Sequence, residues 1–148
     1  MNSTTSAAPA KSFTRFFPVI ARILLGFVFF AGGLAYFLLP PPTSPMPEGA
    51  TAFMGAMMKT GYLMTFLKLT ETLAGALLLA NRFVPLALAV LAPIVINITA
   101  FIAFLMPTGL PIAVMLVALE GYLAWAYRDA YLPMLRWQTP PGGGCNAK

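Results

Sequence analysis

The chain has 148 residues, of which 59% are hydrophobic and only 9% charged, with a net charge of +5 and a mean hydropathy of +0.83. A water-soluble domain carries about 25% charged residues because its surface faces water, so the solvent expected for this chain is lipid. It has no histidine and a single cysteine, Cys145. Histidine-ligated haem and zinc, Ser-His-Asp triads and Cys-x-x-Cys redox centres are therefore excluded.

Residues 1–16 are small and polar, with Lys11 and Arg15, and read as a disordered cytoplasmic leader. An apolar segment follows from Phe17 to Leu39, interrupted only by Arg22, and is too long for the apolar core of a signal peptide. Pro40-Pro41-Pro42 ends it, because proline removes backbone donors and favours an extended connection. Beyond this Pro-rich loop, Ala50 to Gly61 is too short to span. It carries Phe53, Met54, Met57 and Met58 at helical spacing, as in a short helix lying at a membrane surface.

Further spans are expected over 62–80, 83–105 and 110–128. The turn Asn81-Arg82 separates the second from the third, and Met106-Pro107-Thr108-Gly109 separates the third from the fourth. Such short connections make neighbours antiparallel. The expected fold is all-α: an integral membrane four-helix bundle, antiparallel and up-down, over 17–136, with a short interfacial helix in the first outer loop. Residues 137–148, with Pro140-Pro141-Gly142-Gly143-Gly144, read as a flexible cytoplasmic tail.

Orientation follows from the basic residues. Lys11, Arg15, Arg22, Arg82, Arg128, Arg136 and Lys148 fall on one side and only Lys59 on the other. Cytoplasmic segments carry the excess of Lys and Arg, so both termini and the Asn81-Arg82 turn are expected there. The positive charge thus reflects topology, and no nucleic-acid partner is expected. Phe16, Phe17, Tyr127, Tyr131 and Trp137 suit the aromatic belts at the interfaces.

Charged residues within spans cost about 2.5–3.5 kcal/mol at the bilayer centre and mark functional sites by default. Four qualify: Arg22, Lys68, Glu71 and Glu120, with Asn97 as an uncharged amide. Glu71 and Glu120 lie about ten residues into spans of about 20, hence near mid-membrane. Lys68 and Glu71, three apart, share a helix face that continues through Gly75 and Leu78. Arg22, Gly26, Phe29, Gly33 and Tyr36 share a face in the first helix, as Pro93 and Asn97 do in the third. The four charges sum to zero, as in one neutral cluster between helices; alternatively Arg22 snorkels to the headgroups.

Lys68, Glu71, Glu120, Asn97, Arg22 and Tyr36 are thus candidates for a polar core or a ligand site. Such a core either sets helix register or handles a proton or polar ligand, and Lys68 with Glu71 suits the headgroup of a quinone or another amphipathic molecule. Asn97 also fits a helix-to-helix hydrogen bond, and Tyr36, Tyr62 and Tyr122 fit interface anchoring. Met46, Met54, Met57 and Met58 without histidine or cysteine make a weak copper set, and no metal or covalent cofactor is expected.

Three stretches resemble the DoxX family of small bacterial membrane proteins: ARILLGFVFFAGGLAYF from Ala21, TGYLMTFLKLTETLAGALLLANRFVPLALAVLAPIVINI from Thr60, and PTGLPIAVMLVALEGYLAWAYRDAYLPMLR from Pro107. The most specific element runs from Lys68 to Pro85. The resemblance implies four membrane helices in a bacterial inner membrane, with Lys68, Glu71 and Glu120 in the polar core. It also implies a link to membrane redox enzymes, since the name comes from a subunit of a thiosulfate:quinone oxidoreductase. Redox-associated members sometimes carry cysteines, whereas the spans here have none, which counts against a direct thiol role.

The expected function is a non-catalytic membrane subunit or anchor of a redox or quinone-linked enzyme, with the lipid bilayer and an oxidoreductase as partners. The alternative is a small carrier or binding protein for a lipid-like or protonatable ligand, built on the mid-membrane carboxylates. A structural protein, whose polar groups only set packing, is the third. A homo-oligomer is compatible with each, and no residue set makes the chain an enzyme by itself.

Overall fold

The computed structural model describes residues 16–40 and 45–131. The leader, most of the triproline loop and the tail with Cys145 lie outside the described residues.

The described chain is helical. Its elements are α1 (Phe16–Leu38), α2 (Glu48–Lys59), α3 (Leu63–Leu79), α4 (Val84–Leu105), a 3-10 turn (Pro107–Gly109), α5 (Leu110–Ala126) and α6 (Arg128–Tyr131). Three helical segments, α1, α4 and Pro107–Ala126, are long and apolar enough to cross a membrane. With 17 residues, α3 is about 25 Å long at 1.5 Å per residue, the short limit for a span. It is preceded by α2 at a 93° bend, and counting that pair as one span gives up to four.

Local chemistry explains each boundary. Glu48 in the first turn of α2 and Lys59 in the last both oppose the helix dipole. The Thr60 hydroxyl donates to Met57 O (2.7 Å) and accepts from Leu63 N (3.2 Å), tying the end of α2 to the start of α3. Gly61 between them has φ +78°, a conformation open to glycine, and the bend follows.

The end of α3 is a Schellman motif. Arg82 N donates to Leu77 O (3.0 Å) and Asn81 N to Leu78 O (3.2 Å), with Asn81 at φ +55°. Phe83, at φ +50°, caps α4 in the same left-handed region, which costs a bulky residue about 1–3 kcal/mol. Pro85 at the start of α4 needs no hydrogen-bond donor, and Pro93 lies within α4.

The helices close a ring of contacts, with α1 and α4 each packed on both α3 and α5. Inside lie Leu25, Leu78, Leu88, Leu91, Val95 and Leu123, all fully buried. The outside is also apolar: Phe104 is 85% exposed and Ile96 69%, with Ile20, Phe27 and Val114 likewise outward.

The closest approach is between α1 and α3. A Cβ at Gly75 would come within 2.5 Å of the Phe30 amide nitrogen and 2.8 Å of Gly26 O. One at Gly33 would collide with the Thr72 side chain. Gly26 faces Leu78 while Gly33 faces Lys68 and Thr72, so the two helices run in opposite directions. Small residues permit this backbone contact.

Candidate functional site

Three charged side chains of the long helices point inward, against the apolar trend of the exterior. Arg22 is 8% exposed, Glu71 3% and Glu120 7%. They come from the inner faces of α1, α3 and α5, alongside Leu25 and Phe29, Ala74 and Leu78, and Leu116 and Leu123.

Lys68 Nζ meets Glu71 Oε2 at 2.7 Å, as their three-residue spacing on α3 predicts. Lys68 keeps 22% of its side chain exposed while that of Glu71 keeps 4%, so the pair runs from the core toward the surface. Only one carboxylate oxygen is used; Glu71 Oε1 is buried without a hydrogen-bond partner.

Arg22 does not join this pair. Its Nη1 donates to Leu78 O at 2.6 Å, seven residues beyond Glu71 and thus about 10 Å further along α3. The guanidinium sits at the end of α3 where the last carbonyls carry partial negative charge. This also answers the snorkelling alternative, because the head is buried on a carbonyl and not extended outward.

Glu120 is the isolated member. It has no ion pair among the described residues, and its Oε2 is buried without a partner. The four charged residues therefore do not form one cluster. They divide into an ion pair on α3, a helix-end contact from α1 and a solitary carboxylate on α5.

Asn97 lies on the exposed side of α4 and makes no side-chain hydrogen bond among the described residues, so it does not bridge two helices there. It lines a groove of about 440 Å³ formed by α2, α3 and α4, with Phe53, Met57, Phe66, Thr70 and Ile94. Tyr36 is half-buried at the other end of α1 and stacks edge-on against Phe37 at 5.3 Å. A second groove of about 350 Å³ between α1 and α5 is walled by Phe17, Leu24, Met115 and Tyr122.

Neither the Tyr131 contact nor the groove position of Thr70 is legible in the sequence. Tyr131 donates from its hydroxyl to Pro85 O at 2.9 Å, joining α6 to the start of α4, a tie that its place in an aromatic belt does not predict. Burial and then the Glu120 charge hold this phenol above the ordinary tyrosine pKa. The groove role of Thr70 carried no local signal, because it depends on how α2 folds back over α3. Arg128 lies 4.9 Å over the Trp125 ring, a contact legible from their spacing. Among the described residues no group of three or more His, Cys, Asp or Glu could hold a metal.

Compared with known proteins, the chain matches no family model, no curated protein and no solved structure.

Proposed function

We propose that the chain is an integral membrane protein in which α1, α3, α4 and α5 cross as an antiparallel four-helix bundle. Both termini face the cytoplasm of a bacterial cell, and α2 lies at the outer surface. In this role it is a non-catalytic membrane subunit or anchor of a redox, quinone-linked enzyme.

The inverted arrangement of polarity carries the membrane part. Large apolar side chains cover the outside, while Arg22, Glu71 and Glu120 are turned inward. In water that arrangement would expose large apolar side chains on all the long helices, against the limited apolar patches of a soluble monomer. In hydrocarbon it is favourable, since charges there face a bundle interior. The redox part rests on the likeness of Lys68 to Pro85 and its flanking spans to the DoxX family.

A binding or carrier role is the second reading, favoured by Glu120, a buried carboxylate with no counter-charge in contact. Such groups are expensive in a bilayer and accompany proton or ligand handling.

The test is a pull-down of the tagged full-length protein in a gentle detergent, with mass spectrometry of proteins and small molecules. A stoichiometric oxidoreductase supports the subunit role. A chain that comes out alone counts against it, and a bound lipid-like molecule then favours the carrier role.

A further inference from the structure

Asn97 stands in an unusual position for a span. It is thirteen residues from the start of α4 and eight from its end, about 20 Å and 12 Å along the axis. That places an exposed amide, with no partner among the described residues, at hydrocarbon depth. A free amide there forfeits its hydrogen bonds to water and gains none. Neighbouring side chains do not repair this. The Thr70 hydroxyl, which lines the same groove, already donates to Phe66 O at 2.9 Å, which leaves it only acceptor capacity there.

The surroundings of Asn97 are concave. The 93° bend at Gly61 brings α2 across the groove, with Phe53 fixed against Phe101 at 5.5 Å between ring centres. Phe53 and Met57 form the α2 side of the groove, Phe66 and Thr70 the α3 side, and Ile94 and Asn97 the α4 side. At about 440 Å³ it has the size of a small-molecule pocket, apolar with a few polar groups to orient a ligand.

We infer that this groove binds a neutral amphipathic molecule from the bilayer, whose flat carbonyl- or hydroxyl-bearing head pairs with the Asn97 amide. The amide supplies two donors and an acceptor, and Thr70 supplies a second acceptor. The rings of Phe53 and Phe66 and the Met57 thioether suit a planar, polarisable head. No charged residue lines the groove, so a phosphate headgroup finds no counter-charge there. A second copy of the chain could also satisfy an amide, but the recess under α2 fits a small head better than a helix about 10 Å wide. The inference rests on the membrane reading above and is independent of the redox one.

The experiment uses full-length protein in phosphatidylcholine nanodiscs, with 4-decylbenzophenone as probe, a neutral aromatic ketone head on an alkyl tail that photocrosslinks to nearby C–H bonds. Retention in the discs is read separately, so loss of the membrane reading shows before any probe is added. Saturable labelling concentrated at Met57 and neighbouring groove residues is expected, reduced about five- to tenfold in Asn97→Leu and retained in Asn97→Gln. Thr70→Val provides the same readout if Asn97→Leu fails to assemble. Non-saturable labelling spread over the outer faces of all helices would mean an adventitious additive only and overturn the inference. Unchanged labelling in Asn97→Leu and Thr70→Val would overturn it too, as would an oligomer that dissociates when Asn97 is replaced.

Discussion

Arg22, near the start of α1, donates from Nη1 to the carbonyl of Leu78 at the end of α3 across 2.6 Å, although 56 residues separate them in sequence. The same carbonyl accepts from Asn81 N at 3.2 Å within the Schellman turn. One carbonyl oxygen thus accepts from both the turn and a side chain of another helix, and a positive charge sits at the negative end of α3. The contact fixes the register of α1 on α3 at one end, as the Gly33 approach does further along.

Arg22→Met should destabilise the protein by about 1.5–3 kcal/mol, the range for a hydrogen bond to a charged group. Arg22→Lys should recover part of that loss, since a single donor and a charge suffice at this carbonyl. Equilibrium unfolding in detergent checks both, and two variants equal to wild type would rule out a stabilising contact.

The Lys68–Glu71 pair should behave as a coupled unit. Glu71→Gln leaves the Lys68 ammonium without its counter-charge and should cost a few kcal/mol, as broken buried pairs do. Adding Lys68→Met should recover part of it. A double-mutant cycle that came out additive within about 0.5 kcal/mol would show no pairing energy.

The α1–α3 approach makes a graded prediction about glycines. Gly75→Ala should destabilise by about 1–3 kcal/mol, because its Cβ would meet the Phe30 and Gly26 backbone. Gly32→Ala and Gly121→Ala should be harmless or mildly stabilising, since nothing lies within 4 Å of a Cβ at either. Thermal unfolding of the three variants side by side would expose a wrong register if Gly32→Ala or Gly121→Ala were the damaging one.

Tyr131 predicts a pH effect. Its phenol lies above the ordinary value through burial and the Glu120 charge, so the folded state holds the proton more tightly than the unfolded one. The stability this contributes is complete below the unfolded value of about 10 and is lost as pH rises through the folded value. Tyr131→Phe should remove this alkaline component and, with the Pro85 bond, about 1 kcal/mol at neutral pH. Unchanged alkaline unfolding in the variant would refute the assignment.

Much of the helical layout was legible because its signals are local. Pro40, Asn81-Arg82 and Met106-Pro107-Thr108-Gly109 end their helices within two residues of the expected positions. The Lys68–Glu71 pair followed from spacing alone, and helical periodicity already put Gly75 on the same face of α3. The partner of Arg22 was not legible, because it depends on how α1 slides along α3. The separation of Glu120 from the other charges was hidden for the same reason: summed charge says nothing of distance. The groove at Asn97 needed the 93° bend, which Gly61 permits but does not dictate.

The central claim is that α1, α3, α4 and α5 all cross, which puts Lys59 and the C-terminal tail on opposite sides of the membrane. Labelling with a membrane-impermeant maleimide tests it directly, using natural Cys145 in one protein and Lys59→Cys with Cys145→Ser in another. In intact spheroplasts the cysteine at position 59 should react, and Cys145 should react only after lysis. Labelling of both in intact spheroplasts would contradict the four-span account, because the α2–α3 pair would then enter and leave on the same face and the remaining three helices would carry the tail outside.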